Sequence, residues 1–414
     1  MMQDTSKPAP IRQGSAAPAP PRLHQTEFIA LIAMMFATIA FSIDAMLPAL
    51  PEIAADLTPD SPNRAQLIIT SFVLGMGVGT FFAGPISDSF GRKRVILAGA
   101  VLYCIASMVA YAAESLEIVL AARVVQGLGA AGPRIVTMAM VRDLYAGRQM
   151  ARIVSFAMMV FTLVPALAPA VGAVIIAASD WRGIFLAFIV FAIAGMLWLG
   201  LRQPETLPPA ARSPFRLTPL TAAAREVVMH PVVRMSILVQ TLLFAGLFGF
   251  LSTIQQIFDQ SFGRASEFPL WFAAIALISG SASLLNAALV VRLGMRRMVR
   301  TALAVQIVAS GLMAVITLGD LVPVAAQFPI FVVWTTGVFF MTGLTLGNIN
   351  AIALEPMGHI AGMAASVTTA IATVAAVVVA IPLGLSFDGT PGPLALGITL
   401  LVIIASLLMR RLPG

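Results

Sequence analysis

The chain has 414 residues, 59% of them hydrophobic and only 10% charged, with a formal net charge of +7. An ordinary soluble domain carries about 25% charged residues, so a water-soluble fold of this length could not hide so much apolar side chain, and the bilayer must solvate it. Only helices and closed barrels pair every backbone polar group in hydrocarbon; the apolar runs here last about 20 residues, which suits helices and not the shorter alternating strands of a barrel.

In chain order, residues 1–26 form a polar Pro/Ala/Ser-rich tail that predicts disorder. It is too long and too proline-rich for the start of a signal peptide, and the apolar segment after it is a full span, expected to be retained. Spans are predicted at 27–49, 65–83, 95–113, 116–139, 151–178, 183–201, 232–254, 268–291, 300–318, 326–350, 363–384 and 391–409. The expected fold is an all-α polytopic membrane protein of about twelve transmembrane helices. Most connections are short. The exception, 202–231, carries Pro204, Pro208, Pro209, Pro214 and Pro219 among several arginines, and reads as a linker between two six-span halves, 27–201 and 232–414. A weak repeat supports the division: Gly91-Arg92-Lys93-Arg94 and Arg292-Leu293-Gly294-Met295-Arg296-Arg297 each join the second and third spans of a half. Parallel halves are a known transporter architecture.

Lys and Arg placement predicts orientation. With both termini on one side, that side takes every Lys and Arg except Arg64, Arg182 and Arg264 in the opposite loops and Arg123 and Arg134 in the fourth span. Both ends are therefore expected in the cytoplasm, and the basic excess is a topology signal rather than a nucleic-acid surface. The single Cys104 cannot form an intramolecular disulfide and reads as a small apolar residue.

Several chemistries lack their residues. A P-loop needs a Lys after a glycine-rich turn, and neither Lys7 nor Lys93 follows a glycine. His24, His230 and His359 sit at predicted cytoplasmic edges, with no metal-ligand spacing among them. Gly280-Ser281-Ala282-Ser283 has no histidine base at membrane depth and reads as helix packing. The informative residues are buried charges, which are costly in a bilayer and are functional candidates by default. Asp44 in the first span and Arg123 in the fourth fall at similar depth and read as an interior acid–base pair for a proton or a polar substrate, with a structural ion pair or snorkelling as the alternatives. Arg134 follows Arg123 by three helical turns on the same face. The string Gly84-Pro85-Ile86-Ser87-Asp88-Ser89-Phe90-Gly91-Arg92-Lys93-Arg94 reads as a gating loop: Gly84 and Gly91 allow close approach and a tight turn, and Asp88 can pair an arginine or cap the next helix. Pro165 and Pro169, followed by Gly172, predict a kinked fifth span. Gln240, Asn286, Gln306, Asn348 and Asn350 read equally as cavity lining or as hydrogen bonds between helices.

On these residues the chain resembles the major facilitator superfamily, and within it the bicyclomycin/chloramphenicol-resistance branch of drug:proton antiporters. Gly84, Asp88, Gly91, Arg92 and Lys93 match the family loop after the second span. Arg123, Gln126, Gly127 and Gly129 match the fourth-span motif, with Arg142-Asp143-Leu144 after it. Ser42-Ile43-Asp44 with Pro48 and Pro51, the Trp181-Arg182 pair and the 358–362 connection also fit, and Pro165, Ala168, Pro169 and Gly172 carry the branch's antiporter motif without the fuller glycine-rich version. The resemblance, over residues 27–410, implies alternating access about a central cavity. It ties Arg123 to proton coupling and Asp88 to gating, with Asp44 the candidate protonation site. The expectation is a monomeric, cofactor-free exporter of small drug-like molecules in exchange for protons, in a bacterial inner membrane. A nutrient-importing symporter of the same fold and a non-transporting membrane enzyme or sensor stand as alternatives.

Overall fold

The computed structural model describes residues 23–412; of the expected tail, residues 1–22 lie outside them. In chain order the helices are α1 (Gln25–Asp44), α2 (Leu50–Leu57), α3 (Leu67–Phe90), α4 (Arg92–Tyr111), α5 (Leu116–Leu144), α6 (Gly147–Ala178), α7 (Gly183–Arg202), α8 (Leu217–Met229), α9 (Pro231–Gln256), α10 (Phe268–Leu293), α11 (Met295–Leu318), α12 (Val324–Leu354), α13 (Ala361–Leu385) and α14 (Gly392–Arg410). Twelve of these are long; α2 and α8 are short. Eleven stretches of the described residues are long and apolar enough to cross a membrane, and one of them, Val324–Leu385, holds both α12 and α13 joined by the turn Glu355–Ile360.

The predicted edges hold to within a few residues except where proline or glycine chemistry intervenes. The first span ends at Asp44 rather than 49. Pro48 and Pro51 cannot donate to a continuing helix, so the chain passes through the tight turn Leu47–Ala49 into α2, each proline sitting in the first turn of its element. Conversely, the string 84–94 is not a loop. α3 continues through Pro85 to Phe90, and α4 starts at Arg92, leaving Gly91 alone at the corner with φ of 103°. Gly294 turns the matching corner between α10 and α11 with φ of 79°. The 202–231 connection is also more than a tether, because α8 lies inside it and buries Leu220, Ala223 and Val227 against α9 and α13.

Helix pairings in the first six long helices recur in the last six. α1 packs on α6 as α9 does on α13. α3 packs on α5 as α10 does on α12, and α4 on α5 and α7 as α11 does on α12 and α14. Across the middle, α3 meets α13 and α6 meets α10. Hydrocarbon offers no hydrophobic drive between helices, so close packing of small residues does the work. At the α3–α5 contact a Cβ on Gly75 would collide with the carbonyl of Val124, and one on Gly127 with that of Phe72. The outer surface carries exposed apolar side chains such as Leu284, Val291, Val308 and Val333, a surface suited to lipid.

Candidate functional site

Arg123 is fully buried in α5 and its donors are satisfied by neutral groups. Its Nε donates to the Ile68 carbonyl (3.2 Å), Nη1 to Gln126 Oε1 (2.6 Å) and Nη2 to the Ser42 carbonyl (2.9 Å). Ser42 lies in the last turn of α1, where carbonyls lose their intrahelical donors and the helix dipole is negative; that helix end takes the place of an acid. The guanidinium also lies over the Phe72 ring, 4.5 Å from its centroid, a cation–π arrangement. Gln126 Nε2 passes the network on by donating to Ser107 Oγ (2.6 Å), which donates to the Tyr103 carbonyl (2.8 Å). The Tyr103 hydroxyl shares a hydrogen bond with Ser42 Oγ (2.6 Å), closing the circuit back to α1.

The expected acid–base pair does not form. Asp44 ends α1, 5% exposed, and no hydrogen bond or ion pair reaches its carboxyl among the described residues. Arg123 turns to the α1 terminus because helix carbonyls at hand fill its fork, leaving the carboxyl without a counter-ion. Gly172 lies against the carbonyl of Ala45, the next residue, so the antiporter-type string of α6, with Pro165 and Pro169 inside an unbroken helix, packs on the turn that carries Asp44. Arg134 meets neither of them; its described contact is Nη1 to Met76 Sδ at 4.0 Å.

The 84–94 string builds a second polar centre at the opposite end of α3. Asp88 pairs with Arg92 (2.5 Å), whose Nη1 also donates to Ser87 Oγ (2.6 Å) and whose Nε donates to Asp143 Oδ2 at the end of α5 (3.2 Å). Lys93 Nζ donates to the carbonyl of Gly200 in α7 (2.7 Å). Sequence reasoning missed Glu205. Its carboxylate accepts from the backbone N–H of Arg92 (2.9 Å) and Lys93 (3.4 Å), the exposed donors at the start of α4, and from those of Thr206 and Leu207. An acid among the prolines and arginines of the linker was the available signal. Gly91 is needed here: its φ is positive, and a Cβ would sit 2.5 Å from Glu205 Oε2. Gly84 permits no close approach in this state, since a Cβ there meets nothing within 4 Å.

A third group, also missed, joins the halves. Asn63 Nδ2 donates to the carbonyls of Phe387 (2.8 Å) and Leu385 (3.3 Å), beyond and at the end of α13. Gln256 Nε2 at the end of α9 donates to Asn63 Oδ1 (2.7 Å), and Gln66 Nε2 donates to Gln256 Oε1. A cavity of about 210 Å³ adjoins this amide cluster, lined by Pro51, Pro62, Gln66, Ser252, Gln256 and Asp259 among others. Among the second-half amides, Asn348 Nδ2 donates to Asn286 Oδ1 (2.7 Å), tying α12 to α10, whereas Gln306 Nε2 donates to Ser310 Oγ (2.7 Å) within α11. Gln240 Oε1 and Asn350 Oδ1 are buried without a partner. No cluster of metal-ligating side chains occurs among the described residues.

The Major Facilitator Superfamily family model matches residues 30–381. A protein of Haemophilus influenzae named a bicyclomycin resistance protein homolog is 30% identical over 82% of this chain and 84% of its own. The multidrug resistance protein MdtL of Escherichia coli K12 is 35% identical over 41% of this chain and 43% of its own. Among solved structures, the partially occluded inward-open xylose transporter XylE of E. coli superposes with a TM-score of 0.73 over 94% of this chain and 98% of that one, at 12% identity, a likeness of fold.

Proposed function

Since this chain belongs to the major facilitator superfamily, it is a multi-pass membrane transporter of small molecules and not an enzyme, and we propose that it exports drug-like molecules in exchange for protons. The observation that carries the reading is Asp44. A barely exposed carboxyl that no side chain neutralises is costly to keep charged, the condition under which a carboxyl serves as a proton carrier. It sits on the turn against which the α6 antiporter-type string packs. Arg123, held by α1, α3 and Gln126, ties that turn to the interior of the first half. The names of the resistance-protein relatives favour a drug-like cargo.

In the proposed arrangement residues 27–201 and 232–414 are the two moving halves, 202–231 is the linker, and both termini are cytoplasmic in a bacterial inner membrane. The protein acts as a monomer. The amide cluster of Asn63, Gln66 and Gln256 is the outer gate, closed in this state. The Asp88–Arg92–Asp143 centre is the inner gate. Outward exposure lets Asp44 take a proton, and inward exposure releases it.

The test is drug accumulation in efflux-deficient cells, with and without a protonophore, over a panel that includes chloramphenicol. Expression should lower accumulation, the protonophore should restore it, and Asp44→Asn should leave cells indistinguishable from empty-vector controls. Protonophore-sensitive export by Asp44→Asn would remove Asp44 from coupling.

A further inference from the structure

Arg123 and Arg134 are the two arginines deep within the spans, and only the first is satisfied by the protein. Arg134 lies 11 residues further along α5, about 16 Å at the rise of a helix. A guanidinium presents five N–H donors, and the described contact of this one is a thioether at 4.0 Å, a weak acceptor. No carboxylate can reach it. Among the described residues, every acidic side chain lies in a connection, in a short helix or near a helix end, Asp44 at the end of α1 included. Asp44 stands two residues past the Ser42 carbonyl that Arg123 holds, roughly three turns away.

The side chain does not escape toward lipid beside α4. Gly129 and Gly132 are the α5 residues that face α4, since Cβ atoms on them would meet Tyr103 and Ile96. Two residues on, at about 100° each, Arg134 projects to the opposite side, toward α3. There it touches Met76, and the adjacent Gly77 packs on Thr373 and Val374 of α13. Arg134 is therefore half-buried beside the seam between the halves, where alternating access opens the path.

We infer that Arg134 is the seat for an anionic group of the transported molecule, a carboxylate on a largely apolar body. A guanidinium holds a carboxylate through two parallel hydrogen bonds. One arginine matches its single charge, whereas a doubly charged phosphate would call for a second cation. The inference rests on the transporter reading, not on its direction. With proton and anion seated about three turns apart, the two can be held together, and their exchange is then set by which state of the halves each favours.

The test uses the full-length protein in lipid nanodiscs, as wild type, Arg134→Met and Arg134→Lys, followed by thermal unfolding. The probes are 4-phenylbutyrate and 1-naphthoate, each paired with its neutral amide. Without ligand, Arg134→Met should unfold at a higher temperature than wild type, because an unsatisfied charge is removed. The carboxylates should raise the midpoint of wild type and, less, of Arg134→Lys, but not of Arg134→Met; the amides should raise none. The inference is overturned if Arg134→Met unfolds below wild type, if amides stabilise as well as acids, if the acids stabilise Arg134→Met as much as wild type, or if neither acid shifts wild type. The accumulation assay reads the transport claim separately: protonophore-sensitive export of neutral drugs alongside any of these failures keeps the exporter and removes the anion seat.

Discussion

At the scale of single residues, the interior is organised by which charges are satisfied. Arg123 spends its donors on two backbone carbonyls and one amide in three directions. That geometry belongs to a planar fork; an ammonium is a point charge and cannot reproduce it. Arg123→Lys is therefore expected to unfold at a lower temperature than wild type and to lose export, and Arg123→Met to cost about 1–3 kcal/mol for the buried acceptors left without donors. Thermal unfolding in nanodiscs together with drug accumulation checks both, and a fully active Arg123→Lys would show that charge alone suffices. Asp44 is the complementary case. Its conservative amide variant keeps the shape of the α1 turn and removes only the titration, so loss of export with an unchanged unfolding temperature is the expected signature.

At the scale of elements, the corner between α3 and α4 concentrates the constraints. One residue, Gly91, reverses the chain, and Glu205 from the linker caps the helix that follows it. A carboxylate at a helix N-terminus meets the unpaired N–H groups and the positive end of the dipole. Gly91→Ala adds a Cβ where φ is 103° and ψ is 147°, a region nearly confined to glycine, at about 1–3 kcal/mol, and pushes it onto that same carboxylate. We expect a lowered unfolding temperature and impaired transport from Gly91→Ala. Glu205→Gln, which keeps the acceptor but removes the charge, should show a smaller effect of the same sign. Equal, wild-type stability in both would mean that the cap has no structural role. The corner was visible in the amino-acid string as a motif, but its partner was not, because Glu205 is 113 residues from Arg92 and only the folding of α7 back along α4 brings them together.

At the scale of the whole molecule, the two halves are held differently inside and between. No ion pair among the described residues joins the first half to the second; each lies within one half or ties the linker to one of them. The contacts that cross at the face of Asn63 are neutral amides and carbonyls. Neutral hydrogen bonds contribute about 0.5–1.5 kcal/mol each, little enough to suit the opening and closing proposed for this cluster. In a Cys104→Ser background, Asn63→Cys with Gln256→Cys should cross-link under mild oxidation and stop transport until reduced. Asn63→Ala with Gln256→Ala should shift the halves toward the state open at this face, read as faster labelling of a cysteine placed on the cavity wall by an impermeant maleimide. Failure to cross-link would mean that the two side chains do not meet in the membrane.

Composition and pattern alone determined the solvent, the helical class, the twelve long helices and the family, because span length and motif order are properties of consecutive residues. They also singled out Asp44, Arg123 and Arg134 as charges out of place. What only the tertiary structure decided was what each charge meets. Arg123 is answered by carbonyls 55 and 81 residues away, not by Asp44, and Asn63 is held by a carbonyl 324 residues on. Such partners depend on which helix ends reach the same depth and which faces turn together, and no spacing along the chain encodes that.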